Sequence, residues 1–409
     1  MTTAARTPSG ALAQHGAAAD ALALTLDPVT EASFFDERWE RRPLVIPREE
    51  GRRFAGLLDL AEVERLVCET GIRIPAFRLV KDGVPLPPSD YTDDIPWRPG
   101  SFTQIASVER LGAEFAAGAT LVLQALHLWR PAVARYCRGL EMRLGFPVQA
   151  NAYLTPAAAQ GFAVHHDTHD VFVLQVAGRK RWRLYKPRLE LPLKDQRWSQ
   201  DLGEVGPPID DFTLEAGDTL YLPRGWPHEA ETSHEEALHL TIGLHPPTRM
   251  DALRAALEGC ADDIEFRRSL GPDGDLPDHM VERLAARLRP EEIARRTRRR
   301  FVAGRRPILH DQLSQLRGLG RLSLDSPLER RPTVIFELEH EPTGVVLLFE
   351  GKEVRLPGKA ATAMEAVAEA AGPFSAADLP GALDERGRLV LVRRLVREGF
   401  VRTLDQQAR

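Results

Sequence analysis

Apolar and polar positions along this chain change their spacing several times, and the changes mark its elements. Residues 34–46 read Phe-Phe-Asp-Glu-Arg-Trp-Glu-Arg-Arg-Pro-Leu-Val-Ile. This predicts an aromatic-bearing helix that stops before Pro43, followed by a strand. Helical spacing predicts further helices over 57–70 and over 126–144. Between them, the apolar and basic run 76–81 ends at Asp82-Gly83, a hairpin turn signal.

From 148 to 244 the pattern becomes short β-rich runs, at 171–176, 181–185, 219–222 and 238–244, separated by Gly and Pro turns. Such strands suit a double-sheet barrel. Residues 250–316 return to helical spacing, with a Gly-Pro-Asp-Gly-Asp break at 271–275 and Pro290 at a helix start. Strand runs at 333–338 and 344–349 followed by helices at 361–370 and 389–398 suggest a small winged-helix-like domain. The expected class is α+β. A tail over 1–25, a barrel domain over 26–248, a helical segment over 249–320 and the winged-helix-like domain over 321–409 complete the organisation.

Length and composition narrow the function classes. A chain of 409 residues, 43% hydrophobic and 28% charged with a net charge of −5, is ordinary for a globular protein of more than one domain. Nothing global points to nucleic acid. No apolar run approaches the roughly 20 residues that cross a bilayer, so no membrane role is expected. The first residues lack the basic start and apolar core of a signal peptide. Cys68, Cys137 and Cys260 lie far apart, which suits small buried hydrophobes in a reducing, cytoplasmic setting.

The chemistry concentrates in Gly161-Phe-Ala-Val-His165-His166-Asp167-Thr-His169-Asp170. On a strand, positions two apart share a face, so His165 and Asp167 reach one point while His166 faces away. A third ligand from a neighbouring strand is supplied by His228, at the end of Gly217-Asp-Thr-Leu-Tyr-Leu-Pro-Arg-Gly-Trp-Pro-His228. Two imidazoles and a carboxylate leave open positions on a metal, the arrangement of non-haem iron(II) oxygenases; zinc and manganese suit the same donors. Such an oxygenase also holds the far carboxylate of 2-oxoglutarate. Lys180, in Gly178-Arg-Lys180-Arg-Trp182, is the candidate cation, alternation placing it with Trp182 and opposite Arg179, Arg181 and Arg183. Tyr153 is a candidate to add a hydroxyl.

These residues resemble the JmjC-type ribosomal oxygenases, a group of nucleolar and bacterial protein hydroxylases. The resemblance rests on Trp39-Glu-Arg-Arg-Pro-Leu44, Asn151-Ala-Tyr153-Leu-Thr-Pro156, Gln160-Gly-Phe162, Phe172-Val-Leu-Gln-Val-Ala-Gly178 and Tyr221-Leu-Pro-Arg-Gly225. It implies a double-stranded β-helix (cupin or jelly-roll) barrel of JmjC type, a helical dimerisation segment and a C-terminal winged helix. It implies Fe(II) on His165, Asp167 and His228, 2-oxoglutarate on Lys180 in a pocket lined by Asn151, Tyr153 and His239, and O2 as oxidant. The implied substrate is a histidine or arginine side chain of a ribosomal protein, and the implied assembly a homodimer. The sequence departs from the group at His166, where tyrosine is usual, and at His169; both read as solvent-facing or structurally bonded.

The arginine run 295–300, with Arg305 and Arg306, reads as a solvated helix face, and direct nucleic-acid binding is not expected. Two alternatives stay open from sequence: a 2-oxoglutarate oxygenase acting on a small metabolite, and a metal-binding cupin module without oxygenase activity.

Overall fold

In the computed structural model residues 17–404 are described. They form two compact units, one ending at His245 and excluding 144–147, the other beginning at Pro246 and including that short stretch. The expected tail over 1–25 lies outside the described residues up to 16. Beyond that point Ala17–Leu26 is a helix that buries Ala21, Leu22 and Leu26. The Ala- and Leu-rich composition that reads as a tail is also good helix-forming sequence, and burial of one face decides between the two.

The strands of the first unit are β1 (Leu44–Ile46), β2 (Phe77–Lys81), β3 (Val84–Pro85), β4 (Thr92–Trp97), β5 (Gly100–Ala106), β6 (Thr120–Leu123), β7 (Val148–Thr155), β8 (Gln160–His165), β9 (Asp170–Ala177), β10 (Lys180–Leu184), β11 (Asp210–Leu214), β12 (Thr219–Leu222), β13 (His228–Glu231) and β14 (Ala237–Leu244). One sheet runs β1-β12-β9-β14-β7-β6-β2-β3 and a second runs β11-β10-β13-β8, while β4 and β5 form a separate ribbon. The two sheets meet through Val171, Val173, Leu220 and Leu222 on one side and Trp182, Leu184 and Leu214 on the other. Burying each such side chain contributes about 1.5–3 kcal/mol. This is the double-sheet barrel expected from the strand runs.

Local sequence explains the key strands. β9 lies between β12 and β14 and is buried on both faces, which is why it reads as a nearly continuous apolar run. Its outer residue Phe172 packs against Phe34 and Tyr221, so the aromatic N-terminal helix Glu31–Glu37 covers that face. β10 alternates, with Lys180, Trp182 and Leu184 buried and Arg181 exposed. Asp82 and Gly83, with φ of 50° and 79°, make the β2–β3 hairpin turn. The single helix expected over 126–144 is instead two, Leu126–Trp129 and Pro131–Leu144. Arg130 between them is extended (ψ 108°), because the residue before a proline is pushed out of the α region.

The second unit carries helices Arg249–Glu258, Asp278–Arg287, Pro290–Ala303 and Gln312–Gly318, then β15 (Leu328–Arg330), the antiparallel meander β16 (Phe336–Glu341), β17 (Gly344–Phe349) and β18 (Lys352–Pro357), helices Ala361–Glu369 and Glu385–Glu398, and β19 (Val401–Thr403) paired with β15. Leu347 and Phe349 share a core with Met364, Val392, Leu395 and Phe400. The arginine run is not simply solvated: Arg298 bonds Glu337 at 2.9 Å, and Arg299 bonds Glu339 and, at 3.0 Å, Glu353. The acidic residues of β16 and β18 were too far along the chain for a helix-face reading to include. Cys137 and Cys260 are buried as expected, but Cys68 is exposed at the end of helix Leu60–Cys68.

Candidate metal centre

β8 and β13 pair antiparallel with His165 directly opposite His228, and their imidazoles stand 4.6 Å apart. Ligating atoms of His165, Asp167 and His228 all lie within 4.8 Å of one another. Asp167 is not on the strand, as same-face spacing predicted: β8 ends at His165 because its partner β13 begins at His228. Asp167 instead lies in the β8–β9 connection, where its carbonyl accepts the Gly225 N–H at 3.0 Å. Its carboxylate faces His228 Nε2 at 4.0 Å, too far for a hydrogen bond.

Protonation follows from the hydrogen bonds. His165 Nδ1 donates to Ala163 O at 2.8 Å and His228 Nδ1 to Trp226 O at 3.0 Å. A carbonyl only accepts, so both Nδ1 atoms carry a proton, and Nε2 is the atom each ring has left to ligate a metal. Burial, and then repulsion from His165, pull His228 down to about 4 against the attraction of Asp167, which keeps it neutral at pH 7. Burial alone would raise Asp167, but His169, His165, His228 and His166 together outweigh it and hold the carboxyl below its ordinary value. Two imidazoles ligating through Nε2 and one carboxylate are the donor set a divalent cation takes. His166 is buried, donates from Nε2 to Gln196 O at 3.2 Å and meets Trp198 edge-on, while His169 stacks on His245 at 4.7 Å. Both stay outside the donor set.

The barrel interior gathers the remaining candidates. Asn151, Tyr153 and Thr155 alternate onto one face of β7, and Tyr153 lies opposite His239 of β14 with the rings stacked at 5.0 Å. Asn151 Oδ1 accepts the Ala125 N–H at 2.9 Å. Lys180 is 3% exposed. Its Nζ donates to Thr155 Oγ1 at 2.9 Å, and Thr155 in turn meets Thr120 Oγ1 at 3.1 Å. Among the described residues no carboxylate pairs with Lys180, and burial pulls it down to about 7. Trp182 Nε1 and His239 Nδ1 are also buried without partners. Burial, then Lys180 and His228, drive His239 well below its ordinary value, so its ring is neutral. A buried lysine with no carboxylate partner among the described residues, on the same strand face as Trp182 and within electrostatic reach of His239, suits an oxygen-rich anion. Thr155 was not singled out from sequence; continuing the two-residue step from Asn151 and Tyr153 reaches it, as the same step from Lys180 reached Trp182.

Comparison with known proteins places this geometry. Residues 128–252 match the family model described as JmjC domain. Ribosomal oxygenase 1 of Danio rerio is 32% identical over 265 residues, covering 61% of this chain and 46% of that protein. The bifunctional lysine-specific demethylase and histidyl-hydroxylase NO66 of Drosophila persimilis is 30% identical over 237 residues, covering 55% and 31%. The chain thus spans less than half the length of these relatives. Among solved structures, the Escherichia coli ribosomal oxygenase YcfD in complex with cobalt and succinic acid aligns with a TM-score of 0.54 at 18% identity, over 93% of this chain and 99% of that one. YcfD has also been solved with cobalt and 2-oxoglutarate, at a TM-score of 0.52. The JmjC match over 128–252 and the similarity to ribosomal oxygenases over about three-fifths of the chain agree with the resemblance read from the sequence motifs, and the likeness to YcfD shows the shared barrel fold.

Proposed function

We propose that this protein is an Fe(II)- and 2-oxoglutarate-dependent oxygenase that hydroxylates a protein side chain, an arginine or histidine of a ribosomal protein. The observation that carries the reading is a buried lysine with no carboxylate partner among the described residues, in the same barrel as a two-histidine, one-carboxylate donor set. The names of the relatives and the cobalt, succinic acid and 2-oxoglutarate complexes of YcfD support it.

In this reading His165, Asp167 and His228 hold iron(II), which supplies oxygen activation coupled to oxidative decarboxylation of 2-oxoglutarate. Lys180 takes the distal carboxylate of the co-substrate, protonated by that contact, and Thr155 orients its ammonium. Half-buried Tyr153, stacked on buried His239, walls the pocket with it and keeps water out, and Asn151 lines it nearby. The Nδ1 bonds of His165 and His228 fix which nitrogen faces the metal.

The remaining assignments extend the same reading. The helical segment 249–320 serves homodimerisation, supported by the exposed apolar residues Met250, Leu253 and Leu257 on one stripe of helix Arg249–Glu258. The part from 321 onward is a winged-helix-like module for protein contact, since the arginines beside its sheet are engaged by glutamates. No helix among the described residues is long and apolar enough to cross a membrane; the cytoplasm is the proposed location.

The test is turnover of 2-oxoglutarate to succinate by the full chain with iron(II), ascorbate and air, with and without ribosomal proteins. Succinate together with a ribosomal protein that gains one oxygen by mass is the expected result. No succinate with iron demonstrably bound would overturn the oxygenase reading.

A further inference from the structure

Asp170 is the first residue of β9, and it is 0% exposed. Arg224 lies in the loop between β12 and β13 and is also buried. Its Nη1 donates to Asp170 Oδ2 at 2.9 Å, and its backbone N–H donates to Asp170 Oδ1 at 3.2 Å. The Tyr221 hydroxyl donates to the same Oδ1 at 3.2 Å and accepts the Glu40 N–H at 3.0 Å. Glu40 also reaches Arg224 with its carboxylate, and Trp39 stacks on Tyr221 at 5.9 Å. The Trp39-Glu40 motif, conspicuous in the sequence, is therefore joined to β9 and β12 through buried polar groups.

Removing two charges from water costs several kcal/mol per ion, and a well-packed apolar pair in their place is often as stable or more so. The residues after Asp170 on β9 are largely apolar, so the strand itself does not call for a carboxylate. What the pair joins is specific: Asp170 closes the loop that carries Asp167, and Arg224 opens the turn that delivers His228. The Gly225 N–H donated to Asp167 O ties the same two loops beside it.

We propose that Asp170 and Arg224, backed by Glu40 and Tyr221, are positioning residues that hold Asp167 and His228 at the separation a divalent cation requires. This rests on the reading of His165, Asp167 and His228 as a metal centre. The ion pair fixes one loop against the other in both distance and direction, which an apolar contact, free to slide, does not. Residues that orient metal ligands characteristically cost about 10–100-fold in metal affinity when replaced.

The test is Co(II) titration of the full chain by calorimetry, with the visible spectrum of the Co(II)-loaded protein and the melting temperature of the metal-free protein, for wild type, Asp170→Asn, Arg224→Lys and Glu40→Gln. Asp170→Asn is expected to weaken Co(II) about 10–100-fold and to alter the spectrum. Glu40→Gln, at the partly exposed end, is expected to give a smaller loss in the same direction with the fold intact. Variants that melt earlier yet bind Co(II) with wild-type affinity and spectrum would show a purely structural pair and overturn the proposal. If Asp170→Asn does not fold, Glu40→Gln and Arg224→Lys decide it on the same readouts. Failure of the wild type itself to bind Co(II) would remove the metal centre and this proposal together, and is seen before any variant is compared.

Discussion

Lys180 bears two opposed demands, and they can be measured apart. Its ordinary value of 10.5 falls to about 7 through burial. Between those pH values the unfolded chain binds a proton that the folded chain does not, so this group makes stability rise with pH from about 7 to 10.5. Below 7 the folded state carries the full cost of a buried charge. Lys180→Met keeps the volume without the charge, and is expected to raise stability at pH 6–7 by on the order of a few kcal/mol, a gain that shrinks towards pH 10 in urea unfolding. The same position is expected to be needed for binding. Lys180→Ala should weaken 2-oxoglutarate by about 2 kcal/mol or more, through loss of a charge-assisted bond, and leave Co(II) affinity near wild type in calorimetry; equal losses of both would remove that role. His165→Ala and Asp167→Ala should abolish metal binding and succinate formation together, and retained decarboxylation in either would count against these ligands. At this scale the sequence was legible where spacing is short: His165-x-Asp167 and the alternation around Lys180 are readable by eye. Thr155 as the Lys180 partner was not, because that contact crosses from β10 to β7.

At the scale of elements, turns decide where these side chains arrive. Gly178, with φ of 63°, makes the turn into β10, and a Cβ there would stand 2.0 Å from Glu236 O. Gly178→Ala is expected to destabilise by more than about 2 kcal/mol in thermal or urea unfolding, from left-handed strain and backbone collision combined, and to weaken 2-oxoglutarate by displacing Lys180. Unchanged stability would mean the turn relaxes freely. Strands buried on both faces, such as β9, announced themselves as apolar runs, and so did β12. β8 and β13 did not, since Gln160–His165 and His228–Glu231 carry the ligands and polar edge residues in place of a hydrophobic pattern. The ribbon β4–β5 was missed for a related reason: it packs little and leaves Ile95, Trp97 and Phe102 exposed.

For the whole molecule, assembly is the property most open to direct test. Met250, Leu253 and Leu257 lie exposed at helical spacing in the second unit. If they form the homodimer contact, Leu253→Asp should convert a dimer to a monomer in light scattering with little change in melting of the separated chain; a wild type that is already monomeric would dismiss that role. The local sequence determined the class of most elements, the hairpin at Asp82-Gly83 and the types of residue able to hold a metal, because helix period, strand period and turn chemistry are set by neighbours a few positions apart. Only tertiary structure decided that β8 stops at His165 and hands Asp167 to a loop, and that the arginines of 295–300 meet the glutamates of β16 and β18. It alone joined buried Asp170 and Arg224 to the partly exposed Glu40 in one network. Each of these depends on partners tens to nearly two hundred positions away, and charge pairing and burial at that range leave no period in the chain from which to read them.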